Sequence, residues 1–151
     1  MNTSELLDYG SKILKNNKVV SYKLDTEVIL SSILNISRES LLIKEYNVSK
    51  EKIIKFKSLI SRRSNLEPIA YIFKKKEFRS ENFYVDSKSL IPRSETESII
   101  EYLLHQGDEI YKKKGRCVFL DAGCGSGCVG ITVANERPEW KIILSDFYRT
   151  A

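Results

Sequence analysis

The stretch that most limits what this chain can fold into lies late in the sequence. There Val118-Phe119-Leu120 runs into Asp121-Ala122-Gly123-Cys124-Gly125-Ser126-Gly127, after which Val129, Thr132, Val133 and Glu136 recur at helical spacing. A short apolar run closed by glycines predicts a buried strand. Strand, glycine turn and helix together make the first half of a nucleotide-type α/β unit. Glycine permits positive φ and lets backbone N–H groups approach a ligand with no Cβ in the way. The helix N-terminus behind the turn adds further free N–H donors.

Three ligand classes use such a turn, and register separates them. A phosphate-cradling loop needs GxxxxGK[ST]; counted from Gly125 the second glycine is Gly130, but Ile131 stands where lysine is required. A dinucleotide fingerprint needs GxGxxG; Gly123 and Gly125 fit, but Cys128 holds the third position and the glycine sits one place early, at Gly127. The pattern present is Asp-x-Gly-x-Gly-x-Gly, which resembles motif I of the S-adenosylmethionine-dependent methyltransferases. A carboxylate at the strand end suits a ligand carrying a sulfonium and an α-amino group better than it suits a pyrophosphate. Lys141-Ile142-Ile143-Leu144-Ser145 predicts a second strand, closed by Asp146. In doubly wound folds an acid there accepts hydrogen bonds from ribose hydroxyls, about 20 residues past the glycine turn.

The chain of 151 residues has room for one ordinary domain, or for a small domain and part of another. Its start, Met1-Asn2-Thr3-Ser4-Glu5, lacks the features of a signal peptide, and no apolar run reaches the length of a membrane span, so the expected place is the cytoplasm. Cys117, Cys124 and Cys128 crowd one strand and loop, as reduced thiols packed in a tight turn would. Cys124 and Cys128 with His105 can be imagined as metal ligands, but no fourth ligand lies nearby and no metal is expected. Charge is uneven: residues 1–80 carry 16 Lys+Arg against 9 Asp+Glu, and residues 81–151 carry 9 against 11. A basic half suits a nucleic-acid or ribonucleoprotein-associated partner, and equally suits the solvated faces of helices.

The first half reads as helical. Leu6, Leu7, Tyr9, Ile13 and Leu14 form one stripe, and 22–34 another, with Leu24, Val28, Ile29, Ser32 and Ile33 recurring. Ser37 starts a short third helix through Ile43, and Ser49 caps a fourth whose buried side is Ile53, Ile54, Phe56, Leu59 and Ile60. From Glu67-Pro68 onward the runs 69–73, 77–78 and 82–85 are aromatic and β-branched, interrupted by Lys74-Lys75-Lys76. They predict two short strands paired as a hairpin. Leu90-Ile91-Pro92-Arg93 is expected to be extended, since proline biases its predecessor away from helix. A helix is predicted over 95–104, with Ser94 as N-cap and Glu97 completing a capping box.

Glu67-Pro68-Ile69-Ala70-Tyr71-Ile72, Lys76-Glu77-Phe78, Phe83-Tyr84-Val85, Leu90-Ile91-Pro92-Arg93-x-Glu95-Thr96-Glu97 and the glycine motif through Cys128 occur in the order and spacing of the HemK/PrmC family. The resemblance covers nearly the whole chain, to about Asp146. It implies a peptide chain release factor glutamine methyltransferase using S-adenosylmethionine. It also implies an α/β architecture: a helical bundle over 1–68 that docks the release factor, a β-hairpin linker over 69–92, and over 93–151 the first part of a Rossmann-like methyltransferase domain. Carried over by position, Gly123, Cys124, Gly125, Ser126 and Gly127 line the cofactor, Asp146 takes its ribose hydroxyls, and Asp121 sits near its methionine end. Residues 90–97 pack beside it and shape the pocket, or serve a purely structural role. The expected partner is the release factor as protein substrate, with no membrane and no direct nucleic-acid binding, and the expected state is a monomer.

Three departures qualify the resemblance. Phe73-Lys74 stands where the family usually has a small residue and glycine, and Ser94 replaces the usual proline, a mild change because serine caps helices. The third is the absence of the family's Asn-Pro-Pro-Tyr motif; residues 147–151 also fail to continue a helical pattern. An amide nitrogen is a poor nucleophile, and its methylation needs acceptors that hold it in line with the methyl group at roughly 3–3.5 Å. The resulting expectation is a C-terminally truncated enzyme, inactive alone, with no catalytic residue assignable. It should show no measurable cofactor binding at micromolar ligand. A residual protein-binding module and a fragment of a nucleic-acid methyltransferase remain as alternatives.

Overall fold

A computed structural model describes residues 1–147, which fall into two compact units divided between Ile72 and Phe73. The residues 148–151, part of the stretch expected to break helical pattern, lie outside those described.

The first unit is a helical bundle of α1 (Thr3–Asn16), α2 (Tyr22–Leu34), α3 (Arg38–Ile43), α4 (Lys50–Ser64) and α5 (Ile69–Phe73). Helix α1 begins with a capping box: the Asn2 side chain accepts from Glu5 N–H and the Glu5 carboxylate accepts from Asn2 N–H, both at 2.9 Å. Ser37 and Ser49 cap α3 and α4 through the N–H groups of Ser40 and Lys52. Leu6, Leu14, Ile29, Leu30, Phe56 and Ile60 are buried between α1, α2 and α4.

Two of the expected helix faces are corrected. Along α2 the buried residues are Asp25, Thr26, Ile29, Leu30 and Ser31, while Leu24 is 45% exposed and Ser32 is exposed. The face is rotated because Asp25 turns inward to meet Arg63 of α4 at 2.7 Å, with the Ser21 hydroxyl also donating to it at 2.7 Å. Along α4 the inward residues are Phe56 and Ile60, and Ile54 is 70% exposed.

The run 69–73, read as extended from its aromatic and β-branched content, is helix α5. Proline at a helix start has a φ already suited to it and gives up an N–H that the first turn does not use. Here Pro68 stands one place earlier, at the N-cap, its missing N–H costing no helical bond and its carbonyl accepting from the N–H groups of Tyr71 and Ile72, both at 3.0 Å. The hairpin lies just beyond, pairing β1 (Lys76–Phe78) with β2 (Glu81–Phe83) antiparallel. Its turn residues Arg79 and Ser80 both have positive φ, 48° and 63°.

In the second unit a 3-10 turn, Ser94–Thr96, leads into α6 (Glu97–Lys114). The predicted capping box does not form: α6 has no side-chain cap, and the Ser94 hydroxyl faces Glu95 instead. The extra 3-10 turn moves the cap position to Thr96, and the helix continues past Leu104 to Lys114, where Gly115 ends it at φ 65°. Its last turn holds Lys112, Lys113 and Lys114, favourable beside the negative end of the helix dipole. Strand β3 (Val118–Ala122), helix α7 (Cys128–Glu136) and strand β4 (Lys141–Ser145) follow. The two strands pair in parallel with Val118 opposite Lys141 and Ala122 opposite Ser145, the βαβ arrangement expected from the sequence. Phe119 and Ile142, which share one face by that register, pack on a core of Phe78, Phe83, Ile100, Leu104, Cys117, Cys128, Val133 and Trp140. On the other face Val118 and Leu120 are each 58% exposed, and Ile143 40%.

Arg137, which caps the C-terminus of α7, reaches Asp108 of α6 with a two-pronged bond, Nε and Nη2 each donating at 2.8 Å. That fork, and the guanidinium charge behind it, hold the Asp108 carboxyl below its usual value of 3.8. A carboxylate depressed on folding stabilises above its unfolded pKa, and the contribution is lost as pH falls through the folded one. The urea midpoint of the second unit, read by the fluorescence of Trp140, the chain's one tryptophan, should therefore fall as pH drops below about 4. Asp108→Asn should lower the midpoint at pH 7 and flatten that acid decline. An unchanged decline would remove Asp108 as its source. Among the described residues no helix is long and apolar enough to cross a membrane.

Candidate functional site

The glycine loop sits where β3 ends and α7 begins, and its backbone shows why glycine is needed. Gly123, Gly125 and Gly127 have φ of 75°, 55° and 74°, all in the left-handed region. A Cβ on Gly123 would meet nothing within 4 Å, so conformation alone demands glycine there. Gly127 is different: a Cβ would lie 2.9 Å from Ile131 Cδ1 and 3.3 Å from Leu144 Cδ2, so this glycine also lets α7 close on β4.

The loop is tied internally. Ser145 O at the end of β4 accepts from the N–H groups of Gly123 and Cys124 at 2.8 and 3.0 Å. Gly125 N–H donates to Asp146 Oδ2 at 2.8 Å, and Gly127 N–H to Cys124 O at 2.8 Å. Asp121, half-buried in β3, accepts from Gly130 N–H in the first turn of α7 at 2.9 Å. These bonds account for five of the amides that a glycine-rich loop and helix start can offer. They are directed at the protein's own carbonyls and carboxylates.

In front of the loop is a cavity of about 380 Å³. One wall is Asp121, Gly123, Cys124, Gly125 and Ser126 with Cys128 and Val129 of α7; the other is Leu90, Ile91, Pro92 and Arg93 with Thr96. The two walls approach closely, Leu90 N lying 3.9 Å from where a Cβ on Gly125 would be. Of the six residues expected at a cofactor, Gly123, Cys124, Gly125 and Ser126 line this cavity. Gly127, which is buried, and Asp146, which is exposed and accepts from Gly125 N–H, are not among its lining residues. The segment 90–97 was placed beside the cofactor only through the resemblance; Val129 was read as part of the helix face and not as a site residue, though it stands second in α7, next to the loop.

The three thiols are held protonated. Burial pushes Cys124 upward, with the negative charges of Asp121 and Asp146 adding to it, and burial dominates at Cys128 and Cys117 as well. Thiolate, not thiol, is the metal ligand and the nucleophile. His105 is exposed, and no group of three His, Cys, Asp or Glu side chains among the described residues is placed to hold a metal.

Comparison with known proteins adds independent findings. Residues 5–73 match the family described as the PrmC N-terminal domain. A Leptospira interrogans protein named release factor glutamine methyltransferase is 34% identical over 147 residues, covering 97% of this chain and 50% of that protein. A Nitratidesulfovibrio vulgaris protein of the same name is 36% identical over 135 residues, 89% of this chain and 44% of its own length. A third of that name, from Buchnera aphidicola subsp. Schizaphis graminum, is 38% identical over 120 residues, 79% and 42%. The chain spans about half the length of the curated relatives it matches.

Proposed function

This chain is a relative of the HemK/PrmC release factor glutamine methyltransferases, and on that premise we propose that it serves methyl transfer from S-adenosylmethionine to a release-factor glutamine amide. The observation that carries the reading is the acid–glycine loop between two parallel strands, facing a cavity whose other wall is the Leu90-Ile91-Pro92-Arg93 segment. The residues suit the cofactor. Two positive-φ glycines, Gly123 and Gly125, bring backbone to the cavity edge, and the space is of small-molecule size at about 380 Å³. Bound there, S-adenosylmethionine would supply an electrophilic methyl on a sulfonium. Gly123, Cys124, Gly125 and Ser126 would flank it, Gly127 would hold the loop's turn, and Asp146, from the end of β4, would take the ribose hydroxyls.

Orientation of the acceptor amide is a separate task. Removing water around a neutral amide and fixing its nitrogen needs paired acceptors, and no Asn-Pro-Pro-Tyr occurs within residues 1–151. The division of labour we propose is that residues 1–72 dock the release factor and the second unit grips the cofactor. Methyl transfer by these 151 residues alone stays at background.

Two measurements test this. Millimolar S-adenosylhomocysteine added to the 15N-labelled chain should shift the amide resonances of Gly123, Gly125 and Ser126 well beyond those of α2 and α4. No shift at those positions defeats the cofactor reading. The chain mixed with a purified release factor should give a one-to-one complex and no transfer of labelled methyl; transfer above background overturns the second half. A strong salt-dependent affinity for RNA in place of the release factor would favour a nucleic-acid substrate.

A further inference from the structure

The turn that ends α5 has a backbone at odds with the residue it carries. Helices commonly close on a left-handed glycine, and Lys74, just past α5, has φ 54°. Glycine adopts that conformation without strain, so the turn calls for the conformation and not for a lysine. A backbone outlier of this kind commonly marks a side chain with a task.

The Lys74 ammonium lies 5.8 Å from the centre of the Tyr84 ring. Lys76 pairs with Phe83 in the hairpin, and Val85 N–H donates to Lys74 O at 3.4 Å, so the register continues and sets Lys75 across from Tyr84. Phe83 is buried in the core, which leaves Lys75 and Tyr84 on the outer side of the hairpin with Glu77 and Asn82, all four exposed. The Tyr84 hydroxyl donates to Asp86 at 3.3 Å, and the residue stays 54% exposed. Neither Lys74 nor Lys75 meets a carboxylate among the described residues. Two ammonium groups and an open aromatic ring thus share one patch of the second unit.

The surroundings of the patch choose its ligand. Glu77 stands on the same face, and Asp86 holds the tyrosine hydroxyl. A nucleic-acid backbone, with one charge after another, would meet both acids as well as the lysines. A short acidic run of polypeptide asks for only one or two cations, which the patch supplies. Reach says where that polypeptide belongs. Six residues lead from Tyr84 to Leu90 on the cavity's far wall, at most about 20 Å of chain. We propose that Lys74, Lys75 and Tyr84 dock an acidic segment of the protein substrate, lying within about 20 Å of its acceptor amide. The proposal rests on the release-factor reading above and adds to it a contact made by the second unit.

The test uses the full chain and its double variant Lys74→Gly with Lys75→Gln. Glycine at 74 relieves the backbone, so misfolding does not mimic the loss of the ammonium. Calorimetry with a purified release factor at about 50 mM salt should show the double variant binding about threefold to tenfold more weakly than the parent, a gap that closes at about 300 mM. A hexaglutamate peptide at millimolar concentration should shift the amides of Lys74, Lys75 and Tyr84 in the 15N-labelled parent and leave those of α6 in place. Parent-level affinity for the release factor in the double variant, or a peptide that leaves those three amides unmoved, overturns the assignment while the release-factor reading stands. A decauridylate that moves them at lower concentration than the peptide overturns it in favour of nucleic acid. A parent chain that takes the peptide at this patch but no release factor overturns the release-factor reading and leaves the patch an acidic-peptide site.

Discussion

Gly107→Ala destabilises the second unit by about 2–3 kcal/mol, although alanine is the better helix former. Gly107 is buried midway along α6, against the indole ring of Trp140. A Cβ there would stand 2.0, 2.4 and 2.8 Å from three atoms of the indole ring, none of them the end of a flexible chain. The ring is 5% exposed and belongs to the core, so it has nowhere to retreat. Alanine returns about 1 kcal/mol of helix propensity, which the collision outweighs. Thermal unfolding by circular dichroism should show the loss. Combining Gly107→Ala with Trp140→Leu should recover a coupling of about 1–3 kcal/mol, since the new methyl then fills space the indole has left. Additive losses in the double variant would mean that helix and ring do not meet.

Arg63→Met destabilises the first unit by about 3 kcal/mol. The Arg63–Asp25 pair is among the least exposed in the chain, with side chains 16% and 9% accessible. Arg63 Nε bonds Asp25 at 2.7 Å, and Nη1 also donates to Glu67 O at 3.1 Å. Methionine keeps much of the stem's volume and removes the charge, leaving a carboxylate between α2 and α4 with only the Ser21 hydroxyl to answer it. Removing both charges, by Arg63→Met with Asp25→Leu, should return stability to within about 1 kcal/mol of the parent, because two well-packed apolar chains replace a buried pair at little net loss. A single variant indistinguishable from the parent would show the pair to be solvated.

That buried pair also shows where sequence ceases to be legible. The bounds of α2 could be read from periodicity, but its inward face could not, because Asp25 counts as a surface residue until its partner, 38 positions away, is known. The same holds at 69–73, where aromatic and β-branched residues favour a strand and Pro68 instead starts a helical turn. In the candidate site, strand, glycines, helix and second strand were legible because backbone conformation dictates them locally. The cavity's far wall was legible only as a resemblance. The pairing of the Gly123, Cys124 and Gly125 amides with Ser145 and Asp146 was not legible at all, since it depends on β4 returning beside β3.

The bond from Gly125 to Asp146 makes the ligand a latecomer to a finished structure. A loop held at Gly123, Cys124 and Gly125 by Ser145 and Asp146, and closed by Gly127 on Cys124 O, has little freedom left to surrender. Whatever enters the cavity gives up its own motion and little of the protein's. With little ordering left to lose on binding, more of the contact energy between ligand and cavity should appear as affinity. The loop is itself one wall of the cavity, an anvil already in shape when the ligand arrives.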